Sequence, residues 1–301
     1  MNKKKYVNRN YLTTTRIIAL GFLITVIVGT ILLSLPIASA NGTWTDLLTA
    51  AFTSTTSVCV TGLVVVDTFS YWSLFGKGVI LILIQIGGLG IVSIITLFML
   101  LFRMKITLKS TMLLQDAFNL NSKQGLLKFT IKVIKGTFLI EGIGAFIYSF
   151  YYCREYGLLK GIWFSVFHAV SAFCNAGLDI MGADSLIPYH SNLLMMLNTS
   201  FLIIMGGIGF IVWWDTVEAF RRIRTKKCSI RSAWNGVHLQ TKIAIFMTLL
   251  LLIGGTVVIY FLERSNPDTL GNLSEKDRIL NAFFQSVTLR TAGFAAVPQA
   301  A

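Results

Sequence analysis

Three short apolar segments of the chain share one spacing, in which a phenylalanine is followed ten positions later by a glycine. They cover residues 52–63, 167–178 and 283–294, and their glycines are Gly62, Gly177 and Gly293. The residue before each glycine is small, and the residue after it is large and apolar. If such loops surround a common axis, their backbone carbonyls form a ring, and a ring of carbonyls in a membrane selects cations. The repeat therefore predicts the backbone chemistry of a cation filter.

No carboxylate or imidazole recurs at a fixed place in the three segments, so their side chains offer no shared ligand. Main-chain oxygens are then the expected ligands, and uncharged oxygen rings suit a monovalent alkali cation, because divalent sites usually recruit carboxylates. We predict no catalytic residues, no cofactor within this chain and no metal site other than the filter backbone. The predicted filter residues are Val58, Cys59, Val60, Thr61, Gly62, Phe173, Cys174, Asn175, Ala176, Gly177, Leu289, Arg290, Thr291, Ala292 and Gly293.

Two acidic residues follow the first two glycines closely. Asp67 lies five residues after Gly62, and Asp179 lies two residues after Gly177. Carboxylates at the outer mouth of a pore raise the local concentration of cations. The alternative is that each is a solvated loop residue without such a role, and the sequence leaves both readings open.

The composition places these segments in a membrane. Of the 301 residues, 54% are hydrophobic and 13% are charged, which is far from the balance of soluble domains. Crossing a bilayer takes about 20 apolar residues. We predict an all-α, multi-pass membrane protein with five spans, at residues 17–36, 74–102, 133–152, 193–214 and 243–262.

The net charge of +13 is distributed in blocks rather than along one face. Basic residues concentrate in the N-terminus and in two connections between spans, and these blocks alternate with acid-bearing connections. Such alternation follows the positive-inside rule, so we predict a cytoplasmic N-terminus and a location in the cell membrane. It argues against nucleic-acid binding, which normally uses a folded soluble module with a basic surface.

Each repeated segment lies in an acid-bearing connection, yet it is itself apolar. It is too short to cross the membrane twice, so we predict a re-entrant half-helix followed by an ascending non-helical stretch. Non-helical backbone at that depth must be buried in protein or line a water-filled cavity. We expect the half-helices to begin near Asp46, Gly161 and Asp277 and to end near Ser57, Ala172 and Thr288.

Glycine clusters and three polar residues stand out within or beside the apolar stretches. Residues 86–90 (IGGLG) and 205–209 (MGGIG) come after the first two segments, where small residues allow close helix packing or a gating hinge. We expect Glu141 to pair with a basic residue or with backbone donors, or to act as an ion relay. Arg290 is expected to turn away from the pore and hold carbonyls or an acid, and His168 to be a hydrogen-bonded half-helix residue.

Two other functional classes compete with a cation filter. A secondary carrier for another small solute or ion would direct half-helix N-termini at an anionic substrate, whereas these repeats present loops and helix C-termini. A membrane enzyme would need a cluster of His, Asp or Cys at bilayer depth, and His168, His190 and His238 are scattered. We therefore predict that the protein is not an enzyme.

Together the segments TSVCVTGLVVVDT, SAFCNAGLDI and SVTLRTAGF and the paired glycine clusters resemble the Ktr/Trk/HKT superfamily of potassium uptake proteins, most closely its bacterial KtrB branch. The resemblance implies four helix–loop–helix units around a pseudo-fourfold axis, with potassium as substrate. It also implies a homodimer on a cytoplasmic nucleotide-binding regulatory subunit, a KtrA-like ring, and sodium as an activator.

About two and a half such units are expected in this chain, so we expect it to be truncated at the C-terminus relative to the family. The expected segments are a cytoplasmic N-terminus (1–16), pore unit 1 (17–102), a basic cytoplasmic connection (103–132), pore unit 2 (133–220), a second basic connection (221–242) and the first half of pore unit 3 (243–301).

Overall fold

A computed structural model describes residues 14–90, 93–94, 96, 126–182, 185–226 and 229–298. The regular structure of this part of the chain is helical, which confirms the predicted all-α class. Its helices are α1 (Thr14–Ser34), α2 (Leu47–Cys59), α3 (Thr68–Tyr71), α4 (Leu74–Leu89), α5 (Leu126–Tyr156), α6 (Leu158–Cys174), α7 (Leu193–Gly207), α8 (Phe210–Lys226), α9 (Ile230–Asn235), α10 (Leu239–Glu263) and α11 (Glu275–Thr288). Short 3₁₀ turns occur at Pro36–Ala38 and Ile187–Tyr189.

Three of the helices are long and apolar enough to cross a membrane. The qualifying stretches are Arg16–Ser34 in α1, Lys128–Tyr156 in α5 and Leu239–Glu263 in α10. They coincide with three of the five predicted spans. Large apolar side chains on them remain exposed, for example Leu23, Ile253 and Phe261, as expected of surfaces that contact lipid.

The predicted span at 193–214 is not one straight helix but two helices separated by a break. Helix α7 ends at Gly207, α8 begins at Phe210, and the two helices are bent by 100° at the break. Gly209 lies in the break with φ +95°, a conformation that L side chains rarely adopt. The span predicted at 74–102 is likewise interrupted, because α4 ends before Gly90 at φ +78°, and most of residues 91–102 lie outside the described part of the chain. Both breaks fall on the last glycine of a glycine cluster.

Local capping explains where the three half-helices begin. Asp46 caps α2 as predicted, because its carboxylate accepts from the amides of Leu48 and Thr49 at 3.1 and 3.3 Å. Helix α6 begins at Leu158, three residues before the predicted start. Helix α11 is capped by Ser274, and Asp277 lies in its first turn rather than at the cap.

The helices pack in successive groups along the chain. Helix α2 packs against α1 and α4, α6 packs against α5 and α7, and α11 packs against α10. Between groups, α4 contacts the half-helix α6, and α7 contacts the half-helix α11. Each half-helix is therefore enclosed by neighbours, and the loops at the ends of the half-helices are brought together.

Candidate loop cluster at the half-helix ends

The three repeated glycines meet at one place. A Cβ atom added to Gly62 would lie 3.4 Å from the Cα of Gly177, and one added to Gly177 would lie 2.8 Å from the Cα of Gly293. A Cβ added to Gly293 would lie 3.7 Å from the Cα of Gly62. The cluster therefore consists of loop 1 (residues 60–63), loop 2 (175–178) and loop 3 (289–294), with bare backbone at its centre.

The backbone conformation repeats more faithfully than the side chains do. Each glycine has a positive φ, between 62° and 79°, and the residue two positions before it is also left-handed. Those residues are Val60, Asn175 and Thr291, with φ of 55°, 58° and 70°. A β-branched residue such as Val60 is uncommon in this region, so its conformation is imposed by the surroundings. What the three loops share is therefore main-chain geometry.

Two of the half-helices end later than predicted. Val58 and Cys59 belong to the last turn of α2, and Phe173 and Cys174 belong to the last turn of α6, so the non-helical stretch is shorter than expected. The reason is a backbone bond that closes each turn, from the Thr61 amide to the Thr56 carbonyl at 3.0 Å in loop 1. In loop 2 the Ala176 amide reaches the Ser171 carbonyl at 2.8 Å. Helix α11 ends at Thr288, as predicted.

Buried hydroxyl groups fasten each loop to its half-helix. The Leu63 amide donates to the Thr56 hydroxyl at 3.0 Å. The Ser171 hydroxyl donates to the Leu178 carbonyl at 2.5 Å, and the Thr288 hydroxyl donates to the Phe294 carbonyl at 2.8 Å. Our sequence reasoning missed these three residues. The available signal was a Ser or Thr five or six positions before each glycine.

The first glycine of each glycine cluster packs directly beneath a half-helix end. A Cβ on Gly87 would lie 2.2 Å from the Val58 carbonyl oxygen, and one on Gly206 would lie 1.7 Å from the Phe173 carbonyl oxygen. Real Cβ atoms do not approach an oxygen so closely, so only glycine fits without displacing backbone. The close-packing role weighed for these clusters is thus present at their first glycines.

The other polar residues that we singled out have partners different from those expected. Glu141 is buried and accepts from the side-chain amide of Gln85 at 3.1 Å, and among the described residues we find no base or backbone donor for it. Arg290 donates to the hydroxyl of Thr248 on α10 at 3.3 Å, and we find no carbonyl or acid for it among the described residues. His168 is buried with neither ring nitrogen hydrogen-bonded in the described chain. The imidazole ring of His168 packs instead against the rings of Tyr148 and Phe294.

The two predicted mouth residues lie in different environments. Asp67 caps α3, accepting from the Ser70 amide at 2.9 Å and the Ser70 hydroxyl at 2.6 Å. Partial burial acts to raise the pKa of Asp67, but the hydrogen bonds from Ser70 and Phe69 outweigh it, so the pKa is lowered and the carboxylate is ionised at neutral pH. Asp179 is half-buried and accepts from the Met181 amide at 3.2 Å.

The arrangement suits cation coordination more than it suits bond-making chemistry. Three helix C-termini, which carry partial negative charge, end at the cluster, and the nearest neighbours of its three glycines are main-chain atoms of the other loops. Ala176 and Ala292 contribute carbonyl oxygens within 3.0 and 2.6 Å of the positions that a Cβ on Gly62 or Gly177 would take.

Comparison with known proteins gives a concordant result. The chain matches the TrkH family, described as cation transport protein, over residues 3–301. It is 41% identical over 286 residues to the potassium/sodium uptake protein NtpJ of Enterococcus hirae, which covers 95% of this chain and 60% of that protein.

Two further relatives bear the name Ktr system potassium uptake protein B. The one from Bacillus subtilis is 38% identical over 295 residues, covering 98% of this chain and 63% of the relative. The one from Vibrio alginolyticus is 35% identical over 282 residues, covering 94% of this chain and 59% of the relative. The chain thus spans about three fifths of the length of these relatives, whose names describe uptake proteins and not enzymes. The chain belongs to the TrkH family of cation transport proteins, a family of membrane transporters.

Proposed function

We propose that the full-length protein takes up potassium across the cell membrane through a filter of backbone carbonyls. The observation that carries the proposal is the meeting of Gly62, Gly177 and Gly293, each left-handed and each within contact distance of another loop's backbone. Carbonyl rings replace the hydration shell of an alkali cation, and the three half-helix C-termini favour positive charge at the same place. The names of the relatives, which specify potassium or potassium/sodium uptake, support the same substrate.

The proposed filter residues form two groups, which differ in whether their carbonyls lie in the loops or at the ends of the half-helices. Val60, Thr61 and Gly62, with their counterparts in loops 2 and 3, present non-helical carbonyls and are proposed as the principal ligands. The residues just before these are proposed to contribute through the carbonyls at the ends of the half-helices, and they are Val58, Cys59, Phe173, Cys174, Leu289 and Arg290. Asp67 and Asp179 are proposed to attract cations at the outer mouth.

The proposed topology puts the N-terminus and the connections 103–132 and 221–242 in the cytoplasm. Pore unit 1 then comprises 17–102, pore unit 2 comprises 133–220, and 243–301 begins pore unit 3. The basic charge of the connections supports this orientation. We further propose a homodimer with a cytoplasmic nucleotide-binding subunit and activation by sodium. The words "Ktr system" in the names of two relatives support a further component of the system, and "potassium/sodium" in the name of the third supports an involvement of sodium.

The test uses the full-length protein in a potassium-uptake-deficient cell at low external potassium. Gly62→Asp and Gly177→Asp are expected to abolish growth, because each places a side chain and a fixed charge among backbone atoms within 3.4 Å. Gly42→Asp is the matched control. Gly42 also has a positive φ, of +68°, but a Cβ there would meet nothing within 4 Å. Gly62→Asp or Gly177→Asp variants that insert in the membrane and grow like wild type would refute the filter assignment.

A further inference from the structure

A charged cavity lies between the beginning of α5 and the helix α8 that begins after the 100° bend. It has a volume of about 500 Å³. The two helices pack closely beside it, since a Cβ on Gly136 would lie 3.5 Å from the ring of Trp213 and 3.6 Å from that of Trp214. Its lining includes Lys132, Trp214, Val217, Glu218, Arg221 and Arg222.

The lining of the cavity contains three cationic side chains and one carboxylate. Glu218 is already paired with Arg222, at 2.9 Å, one turn further along α8. The Lys132 ammonium lies 5.4 Å from the centre of the Trp214 ring, on the wall of the cavity. Arg221 is exposed and adds a third positive charge. The cavity therefore has an excess of positive charge, which suits an anionic ligand.

Apolar side chains lie in the lining of the cavity and further along α5. Trp214 and Val217 supply apolar wall, and Val217 is 54% exposed. Leu139 and Ile143 lie seven and eleven residues beyond Lys132, which puts them on the same face of α5. Both are at least half exposed, and Leu139 is about 10 Å further along the helix axis. A ligand that fits both regions has an anionic head and apolar chains.

We propose that this cavity binds the phosphate of an anionic glycerophospholipid, with the acyl chains lying along Leu139 and Ile143. Lys132 and Arg221 contact the phosphate, and Trp214 lies at the boundary between headgroup and chains, where tryptophan is favoured. The exposed apolar side chains further along the same face of α5 favour a lipid over an acidic protein segment. That the lipid belongs to the inner leaflet rests on the topology proposed above.

The test counts lipids bound to the purified full-length protein by native mass spectrometry, with phosphatidylglycerol and phosphatidylcholine titrated separately. Wild type is expected to retain phosphatidylglycerol in preference to phosphatidylcholine. Arg221→Gln is expected to weaken phosphatidylglycerol binding about fivefold, and adding Lys132→Gln a similar factor again. Arg224→Gln is the matched control, because Arg224 is an exposed arginine on the same helix outside the cavity lining. Arg221→Lys keeps the charge and should retain most of the binding.

Two arms separate the possible sources of the anion. Inorganic phosphate at millimolar concentration should not displace phosphatidylglycerol, because it lacks the acyl chains. If phosphate alone binds with the same dependence on Arg221, the site takes a free anion and the lipid proposal fails. It also fails if Arg221→Gln and Arg224→Gln change phosphatidylglycerol binding equally, or if the wild type binds both lipids equally. Binding of an acidic peptide, but of neither lipid, would contradict it as well. Lipid binding is measured without transport, so a failed filter proposal would leave this result unchanged.

Discussion

Loops 1 and 2 differ from loop 3 in what supports them, although all three have a left-handed residue two positions before a left-handed glycine. In loops 1 and 2 the residue three before the glycine is a cysteine, and the next long helix places a glycine beneath the half-helix end. In loop 3 that position is Arg290, which donates to Thr248 on the preceding helix α10. The fastening hydroxyl is also one position closer to the glycine in loop 3 than in the other two.

Loop 3 also differs in its nearby charge. Loops 1 and 2 are followed within five residues of their glycines by Asp67 and Asp179, whereas no acid follows Gly293 in the described chain. The same main-chain path is thus reached with different side-chain supports and different charges. The backbone oxygens are therefore the repeated element. We expect each loop to be disrupted by substitutions in the residues that support that loop.

The largest effect is expected where loop 2 rests on α7. Gly206→Ala forces a Cβ to within 1.7 Å of the Phe173 carbonyl oxygen unless the backbone moves, and overpacking of this kind costs about 1–3 kcal/mol or more. We expect a clear drop in the apparent Tm of the detergent-solubilised protein and loss of uptake.

The adjacent glycine provides the control. A Cβ on Gly207 would lie 3.4 Å from the side-chain amide group of Asn175, which is close to ordinary contact. Gly207→Ala should therefore leave both Tm and uptake near wild type. Equal behaviour of the two alanine variants would show that α7 does not support loop 2 in the way that the geometry indicates.

A smaller effect is expected at the hydroxyl groups, and it should differ between loops 1 and 3. Thr56→Val leaves the part-buried amide of Leu63 without its acceptor, at a cost of about 1–3 kcal/mol. Thr288→Val leaves only the Phe294 carbonyl without its donor, and unpaired carbonyls are tolerated better than unpaired amides. We expect the loss in Tm to rank Thr56→Val above Thr288→Val.

Thr55→Val is the control for both hydroxyl variants. Thr55 is exposed on the same helix as Thr56, and its hydroxyl donates only within the helix, to the Ala51 carbonyl at 2.7 Å. It should change Tm little. If Thr288→Val proves as costly as Thr56→Val, the donor and acceptor roles of the hydroxyls do not matter and the two loops are fastened equivalently.

The loop positions and the long spans could be predicted from the sequence, because an apolar run or a fixed glycine is a strong local signal. The break at Gly209 could not be predicted outright, because glycines inside an apolar run are compatible with close packing as well as with a hinge, and the sequence left both open. The sequence also did not predict which hydroxyl groups bind the loops, namely those of Thr56, Ser171 and Thr288. Hydroxyl residues are frequent in all the half-helices, and only the path of each loop determines which of them it meets. The partner of Glu141 could not be predicted either, because Gln85 lies on a different helix 56 residues away.

The smallest effect is expected at Asp67, where loop 1 has a charge and loop 3 has none. Asn caps a helix as well as Asp does, so Asp67→Asn should keep the Tm of wild type while Asp67→Ala lowers it. Loss of one charge at the proposed mouth should raise the half-saturating potassium concentration of proteoliposomes about twofold at low ionic strength. Inert salt should remove that difference.

The effect of the Asp67 charge on the half-saturating potassium concentration should depend on pH. Because its pKa is lowered, Asp67 stays ionised until the pH falls below the ordinary value of about 3.9, so wild type should come to resemble Asp67→Asn only under strongly acidic conditions. The stability that the ionised cap provides is lost over the same fall in pH. Asp46→Asn is the control, since Asp46 caps α2 at the end of the half-helix remote from loop 1. If Asp67→Asn and Asp46→Asn shift the half-saturating concentration equally, the charge of Asp67 has no special place at the mouth, and loops 1 and 3 differ in their packing alone.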